Sequence, residues 1–201
     1  MNDEETPLYV AAVDGQVDEV AALLAAGADA DEESAQGTPL CAAACWGHAD
    51  VVRALLAAGA DPQRAAEDDF TPLEWAVLGL HEEAAVALVE GGADPNGPGA
   101  PLVLAADRGA LGVVRALLAH GADPSQRDEE GQTAREAAAG WVGADVEQEL
   151  IASLSGDGPV ELTRTPRAGG TERIEAFRPS AGVGAAIETG HAQIVALLGN
   201  G

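Results

Sequence analysis

The stretch "TPLCAAACWGHADVVRALLAAGADP", residues Thr38 to Pro62, decides the fold, because the chain writes it repeatedly. "TPLYVAAVDGQVDEVAALLAAGADA" begins at Thr6, "TPLEWAVLGLHEEAAVALVEGGADP" at Thr71 and "APLVLAADRGALGVVRALLAHGADP" at Ala100. A looser copy, "TAREAAAGWVGADVEQELIASL", starts at Thr133, and a worn one, "AGVGAAIETGHAQIVALLGNG", at Ala181. The starts are separated by 32, 33, 29, 33 and 48 residues. Self-similarity at such a period marks a stack of supersecondary units.

Each recurrent residue has a physical task. Thr followed by Pro starts a helix: the hydroxyl caps an orphan N–H, and Pro at the first helical position gives up nothing. The alanine pairs Ala11–Ala12, Ala43–Ala44 and Ala105–Ala106 let neighbouring helices approach closely. Gly15, Gly47 and Gly109 fall where the first helix must stop, a place that favours a left-handed residue. The second helix carries an apolar face through Val20, Leu23 and Leu24, repeated as Val52, Leu55 and Leu56. One helix pair cannot bury its own apolar face; stacking several creates a continuous core.

With a T-P-L opening and this period, the chain resembles the ankyrin repeat over nearly its whole length. The expected architecture is an all-α repeat solenoid with about five helix-turn-helix units in 1–156. A β-hairpin-like insertion is expected in 157–180, then a degenerate capping repeat in 181–201. "VELTRT" and "TERIEAF" read as strands around the Gly-rich turn in "PRAGG". The insertion balances Arg164, Arg167, Arg173 and Arg178 against Asp157, Glu161, Glu172 and Glu175, so it is neutral. The link "DPNGPGA" from Asp94 to Ala100 is short, and the finger between the third and fourth units is expected to be truncated there.

Charge narrows the partners. Against 34 acidic side chains stand 10 basic ones, all arginine, for a net charge of −24. Nucleic acid and anionic membrane surfaces are disfavoured, because both need a basic patch. "MNDEETPLYV" has neither a positive n-region nor an apolar h-region, so a cytoplasmic location is expected.

Candidate chemistry yields to the repeat. Cys41, Cys45 and His48 have metal-like spacing, but a tetrahedral site needs further ligands and the chain has 2 cysteines in all. His48, His81 and His191 share the eleventh position of their units, where the resemblance implies a hydrogen bond to loop backbone. His120 ends a second helix, where a cation suits the dipole. No G-x-S-x-G or H-E-x-x-H is present, and "GVGAAIETG" fails G-x-G-x-x-G at Ile187. Neither a catalytic residue nor a cofactor or metal is therefore expected.

What remains is a surface. The resemblance implies that ligands meet the finger tips and the eighth and ninth positions of each first helix. These positions include Trp46, Asp107, Arg108 and Trp141, and the fingers supply Asp68, Asp69, Phe70, Glu129 and Glu130. Trp75 lies half-way into the groove. Aromatics and arginine dominate interface hot spots, so Trp46, Phe70, Trp75 and Trp141 are the candidate anchors. Trp46 and Phe70, from adjacent units, are expected to be neighbours. The reading is a non-enzymatic scaffold binding a protein, with a basic segment, in a concave aromatic and acidic groove. The rival is a small-molecule-binding or accessory catalytic protein of a biosynthetic pathway using the same groove. A buried carboxyl with raised pKa beside Trp141 would favour that rival.

Overall fold

The structure, a computed structural model, describes residues 5–34, 36–66 and 69–199. Four helix pairs follow the repeats: α1 (Pro7–Val13) with α2 (Val17–Ala25), α3 (Pro39–Cys45) with α4 (Ala49–Ala57), α5 (Pro72–Leu78) with α6 (Glu82–Glu90), and α7 (Pro101–Asp107) with α8 (Leu111–Ala119). Thr6, Thr38 and Thr71 cap their helices, each hydroxyl accepting the backbone N–H three residues on at 3.2 to 3.3 Å. Leu8, Leu40, Leu73 and Leu102, two positions after the cap, are at most 2% exposed and form a buried row through the stack. The alanine pairs beside them are equally buried and bring the first helices into contact.

Most junctions between units are fastened by a histidine; between the third and fourth units Ala110 stands in its place and Arg108 Nη2 donates to the equivalent Leu78 carbonyl at 3.1 Å. The Nε2–H of His48 donates to the Val13 carbonyl at 2.9 Å, and that of His81 to the Cys45 carbonyl at 3.0 Å. Each ring lies over the glycine two residues beyond its acceptor. Gly15 (φ 68°) and Gly47 (φ 75°) are left-handed, and an added Cβ would sit 2.6 and 2.4 Å from the ring. At the other corner, Asp31 Oδ1 accepts from Asp61 N–H at 3.0 Å and Asn96 Oδ1 from Asp123 N–H at 2.7 Å.

The C-terminal third departs from the expected order. The expected hairpin forms as β1 (Glu161–Pro166) and β2 (Glu172–Arg178), antiparallel, with Thr163 opposite Glu175. Residues assigned to the first helix of a sixth unit instead form β3 (Val183–Glu188), which pairs with β2 in a three-stranded sheet. Ala181 and the segment after it lack a Thr-Pro start, and Gly182 and Gly184 disfavour a helix. The ladder with β2 satisfies their backbone.

The partner of α9 (Ala134–Trp141) is accordingly α11 (His191–Leu197), not the intervening α10 (Val146–Ser153). Helix α11 packs on α8 and continues the column α2, α4, α6, α8. His191 explains why: its Nε2–H donates to the Asp107 carbonyl at 2.8 Å and its ring lies over Gly109 (φ 68°). That is the same fastening as His48 over Gly15. The repeat-like helix pair is thus interrupted by residues 142–190, and 181–201 is not a separate helical cap. Helix α10 packs instead on the sheet, where Leu150 and Leu154 join Ile174, Ala176 and Ile187 in a second core.

The insert returns to the stack through backbone bonds. Glu188 N–H donates to the Arg108 carbonyl at 2.9 Å and Gly190 N–H to the Gly109 carbonyl at 3.0 Å. No helix among the described residues is long and apolar enough to cross a membrane.

Two outcomes test this arrangement. Ile194 is fully buried in the main core while Leu197, on the same helix, is 45% exposed. In urea unfolding, Ile194→Ala should cost about 2–5 kcal/mol and Leu197→Ala less than about 1 kcal/mol; equal costs would place α11 outside the stack. The second outcome concerns the histidines. Burial holds His81 and His191 below the ordinary histidine value, with the carbonyl bonds opposing. The unfolded imidazoles take protons near pH 6.5 and the folded ones only at lower pH. The stability they contribute is full above the unfolded pKa and falls as pH drops through it toward the folded pKa. Between pH 7 and 5.5, wild type should lose more melting temperature than His81→Gln/His191→Gln, whatever their absolute values; parallel profiles would contradict the assignment.

Candidate functional site

The short link after α6 leaves an opening beside it. Elsewhere the units are joined by fingers: Ser34 bridges Gly37, Ala66 N–H donates to the Phe70 carbonyl at 3.0 Å, and Arg127 bridges Thr133. Between α6 and α7 the chain turns tightly at Asp94–Gly97 and enters α7 through Ala100, left-handed at φ 46°, ψ 63°. The expected truncation is therefore present. A cleft of about 780 Å³ opens in its place, between Asp69 and Phe70 on one side and Asp128, Glu129, Glu130 and Gln132 on the other. Its floor is Val103, Leu104 and Ala137, with Pro98 and Gly99 from the link itself.

Six of its lining residues are acidic: Asp69, Glu74, Asp107, Asp128, Glu129 and Glu130. Among the described residues, no arginine lines it. Glu74 is 4% exposed, and its carboxylate closes a capping box at the start of α5. Glu74 Oε2 accepts from Thr71 N–H at 2.8 Å and from the Thr71 hydroxyl at 2.5 Å. Its Oε1 abuts Gly99, where a Cβ would lie 1.5 Å away, so glycine is required for the link to lie against this carboxylate. Asp128 orders its finger by accepting Gln132 N–H at 2.7 Å.

The structure separates the residues that sequence reasoning grouped. Phe70 packs on Trp75, ring centroids 5.4 Å apart and planes tilted by 58°, so the aromatic pair at the cleft edge is Phe70–Trp75. The expected neighbour Trp46 stands 61% exposed at the end of α3 and does not line the cleft. Trp141 faces inward: its indole N–H donates to Asp107 Oδ1 at 2.8 Å, and its ring stacks on His191 at 5.5 Å. Asp69, Asp107, Glu129 and Glu130 all reach the acidic cleft, whereas Arg108 lines a second one. Asp68 lies outside the described residues.

That second cleft, about 500 Å³, separates the ends of α5 and α7 from the inserted sheet. Leu78, Gly79 and Arg108 face Thr163, Arg173, Glu175 and Phe177 across it. Arg173 pairs with Glu175 at 3.1 Å and donates to the Leu80 carbonyl at 3.4 Å. The carboxyl raised by burial is Glu188, held by Arg167 at 3.6 Å; it lines neither cleft.

Sequence reasoning missed Glu74, Gly99 and the apolar floor. The signals were present: Thr71-x-x-Glu74 has the capping-box spacing, and the shortened link implied a gap with new walls. Cys41 donates its thiol to the Arg64 carbonyl at 3.4 Å within the stack. Among the described residues no group of three or more His, Cys, Asp or Glu side chains converges to hold a metal.

Comparison with known families agrees with the repeat. Residues 1–66 match a model described as ankyrin repeats (3 copies), and residues 83–138 one described as ankyrin repeats (many copies). Among curated proteins none matches.

Proposed function

The chain belongs to the ankyrin repeat family, whose repeats generally mediate protein–protein interaction, and from that premise we propose that it binds a basic segment of a cytoplasmic protein in the acidic cleft. One observation carries the reading: six acidic residues and no basic one line a cleft whose floor is apolar. Arginine or lysine stems would cover Val103, Leu104 and Phe70 while their charged heads reach the walls. The size of the opening suits side chains inserted from an extended segment.

Asp69, Asp107, Glu129 and Glu130 are the proposed orienting residues. Phe70, backed by Trp75, is the proposed apolar anchor. Trp46 is exposed enough to extend the same contact along the stack toward α3. Trp141 has a different part, since Asp107 and His191 already occupy its N–H and its ring; it fixes Asp107 rather than meeting the partner. Phosphate backbones and anionic lipid surfaces are repelled by the same carboxylates.

A protein of net charge −24 attracts any cationic peptide diffusely, so the test must separate site from field. Binding of a fluorescein-labelled arginine–glycine dodecapeptide should be followed by anisotropy at low and moderate salt. Glu129→Gln/Glu130→Gln should weaken it by about 10-fold, as expected for close charge pairs. Glu19→Gln/Asp50→Asn removes the same charge from α2 and α4 and should cost less than about 2-fold. Equal losses from the two variants would leave only the diffuse field and end the proposal.

A further inference from the structure

Arg108 is an anomaly in this protein. Carboxylates outnumber arginines more than three to one, yet among the described residues Arg108 forms no ion pair. It is not exposed. Its Nη2 donates to the Leu78 carbonyl at 3.1 Å, and its Nε is buried with no acceptor. Burial lowers its pKa, Asp107 opposes the shift, and Arg173 from the inserted sheet adds to it. Arg173 Nε is likewise buried without an acceptor. The insert thus sets a second cation toward one that lacks a counter-ion, on the wall of an open cleft.

We infer that Arg108, with Arg173 behind it, is an anion subsite that takes a carboxylate carried by the same partner segment whose basic residues fill the acidic cleft. The inference rests on the function proposed above and extends it from a basic segment to one of mixed charge. Two observations select this ligand over a free anion. First, the long-range field of a −24 protein repels an isolated anion, whereas a carboxylate tethered to arginines or lysines arrives with its repulsion cancelled. Second, consecutive residues line the two clefts, Asp107 the acidic one and Arg108 the other. An extended segment advances about 3.3 Å per residue, so a few residues separate its cationic and anionic parts.

Glu161 and Glu175 also line the second cleft, and Glu175 is engaged by Arg173. The incoming carboxylate therefore bonds to the outer Nη atoms of Arg108, whose Nε is shielded and whose Nη2 also holds the Leu78 carbonyl, and Arg173 contributes charge rather than a direct contact. The two carboxylates set the far wall and disfavour a second anionic residue beside the first. The recognised pattern is a basic run with one Asp or Glu at one end.

The experiment compares the arginine–glycine dodecapeptide with versions carrying one glutamate, or one glutamine, at either end. Charge alone predicts that glutamate weakens binding at both ends. The subsite predicts that at one end glutamate binds wild type about 10-fold tighter than glutamine, the range of a charge-assisted hydrogen bond. In Arg108→Gln that preference should vanish while the glutamine peptides keep their affinity. Arg108→Lys, which retains charge without the fork, should keep part of it and serves if the glutamine variant melts early by circular dichroism. Glutamate weakening at both ends of wild type, or a preference surviving in both variants, overturns the inference. Failure of the acidic cleft itself is distinguishable: then Glu129→Gln/Glu130→Gln weakens every peptide no more than Glu19→Gln/Asp50→Asn does.

Discussion

A histidine ring laid over a left-handed glycine, its N–H on a carbonyl two residues earlier, sets the geometry of this molecule. The contact joins His48 to Val13 and Gly15, His81 to Cys45 and Gly47, and His191 to Asp107 and Gly109. The glycine has to be there for two reasons at once. Its backbone is left-handed, and any Cβ would enter the ring. The bond is short-range and directional, so it fixes the displacement at the junctions that carry it; between the third and fourth units Arg108 donates to the equivalent Leu78 carbonyl instead. The histidine contact also decides which helix occupies the last place of the outer column. Residues 142–190 intervene between α9 and α11, yet His191 still finds the carbonyl of the preceding unit.

That placement has consequences for the insert. Helix α10 carries acidic residues in its first turn and buries little beyond Leu150, so it could not replace α11 against α8. It needs another apolar surface, and one face of the sheet supplies it with Ile174, Ala176 and Ile187. The opposite face, with Arg173, Glu175 and Phe177, turns toward the ends of α5 and α7. A sheet has two faces by construction. One is consumed by stability, which leaves the other to shape a binding surface.

The helical stack was legible in the sequence because its signals are local. Thr caps, the helix-initiating prolines, stop glycines and the apolar period each act within one turn of helix, and they agreed with one another. The hairpin strands and the shortened link were legible for the same reason. The role of Ala181–Gly190 was not. "GHA" at Gly190–Ala192 repeats Gly47–Ala49 and rightly marks the start of a second helix. The residues before it lack the caps of a first helix, but nothing local says that their partner is a strand. Whether they extend the hairpin depends on β2, four residues earlier, and on the apolar side of α10. The site was legible in composition rather than in grouping. Asp69, Asp107, Glu129 and Glu130, singled out by their positions, line one cleft because the gap between fingers brings them together. Phe70 packs on Trp75 of its own unit, while Trp46 stands exposed outside the cleft.

The electrostatics of the two clefts follow from where the chain is interrupted. Removing a finger leaves carboxylates from three units facing one opening, and their mutual repulsion is relieved when cations enter. Adding the insert does the reverse on the adjoining side, since it brings Arg173 toward Arg108 when acidic residues were abundant enough to stand there. A mean charge cannot produce that contrast; two local changes in chain length can. In the proposed function, steering toward the protein belongs to the whole −24, and selection among basic segments to the boundary between Asp107 and Arg108. On that reading, a segment that is merely basic satisfies one side of that boundary and leaves the half-buried Arg108 facing a second cation. One that also carries a carboxylate relieves both sides, and the added specificity comes from the unpaired charge the wrong partner leaves behind.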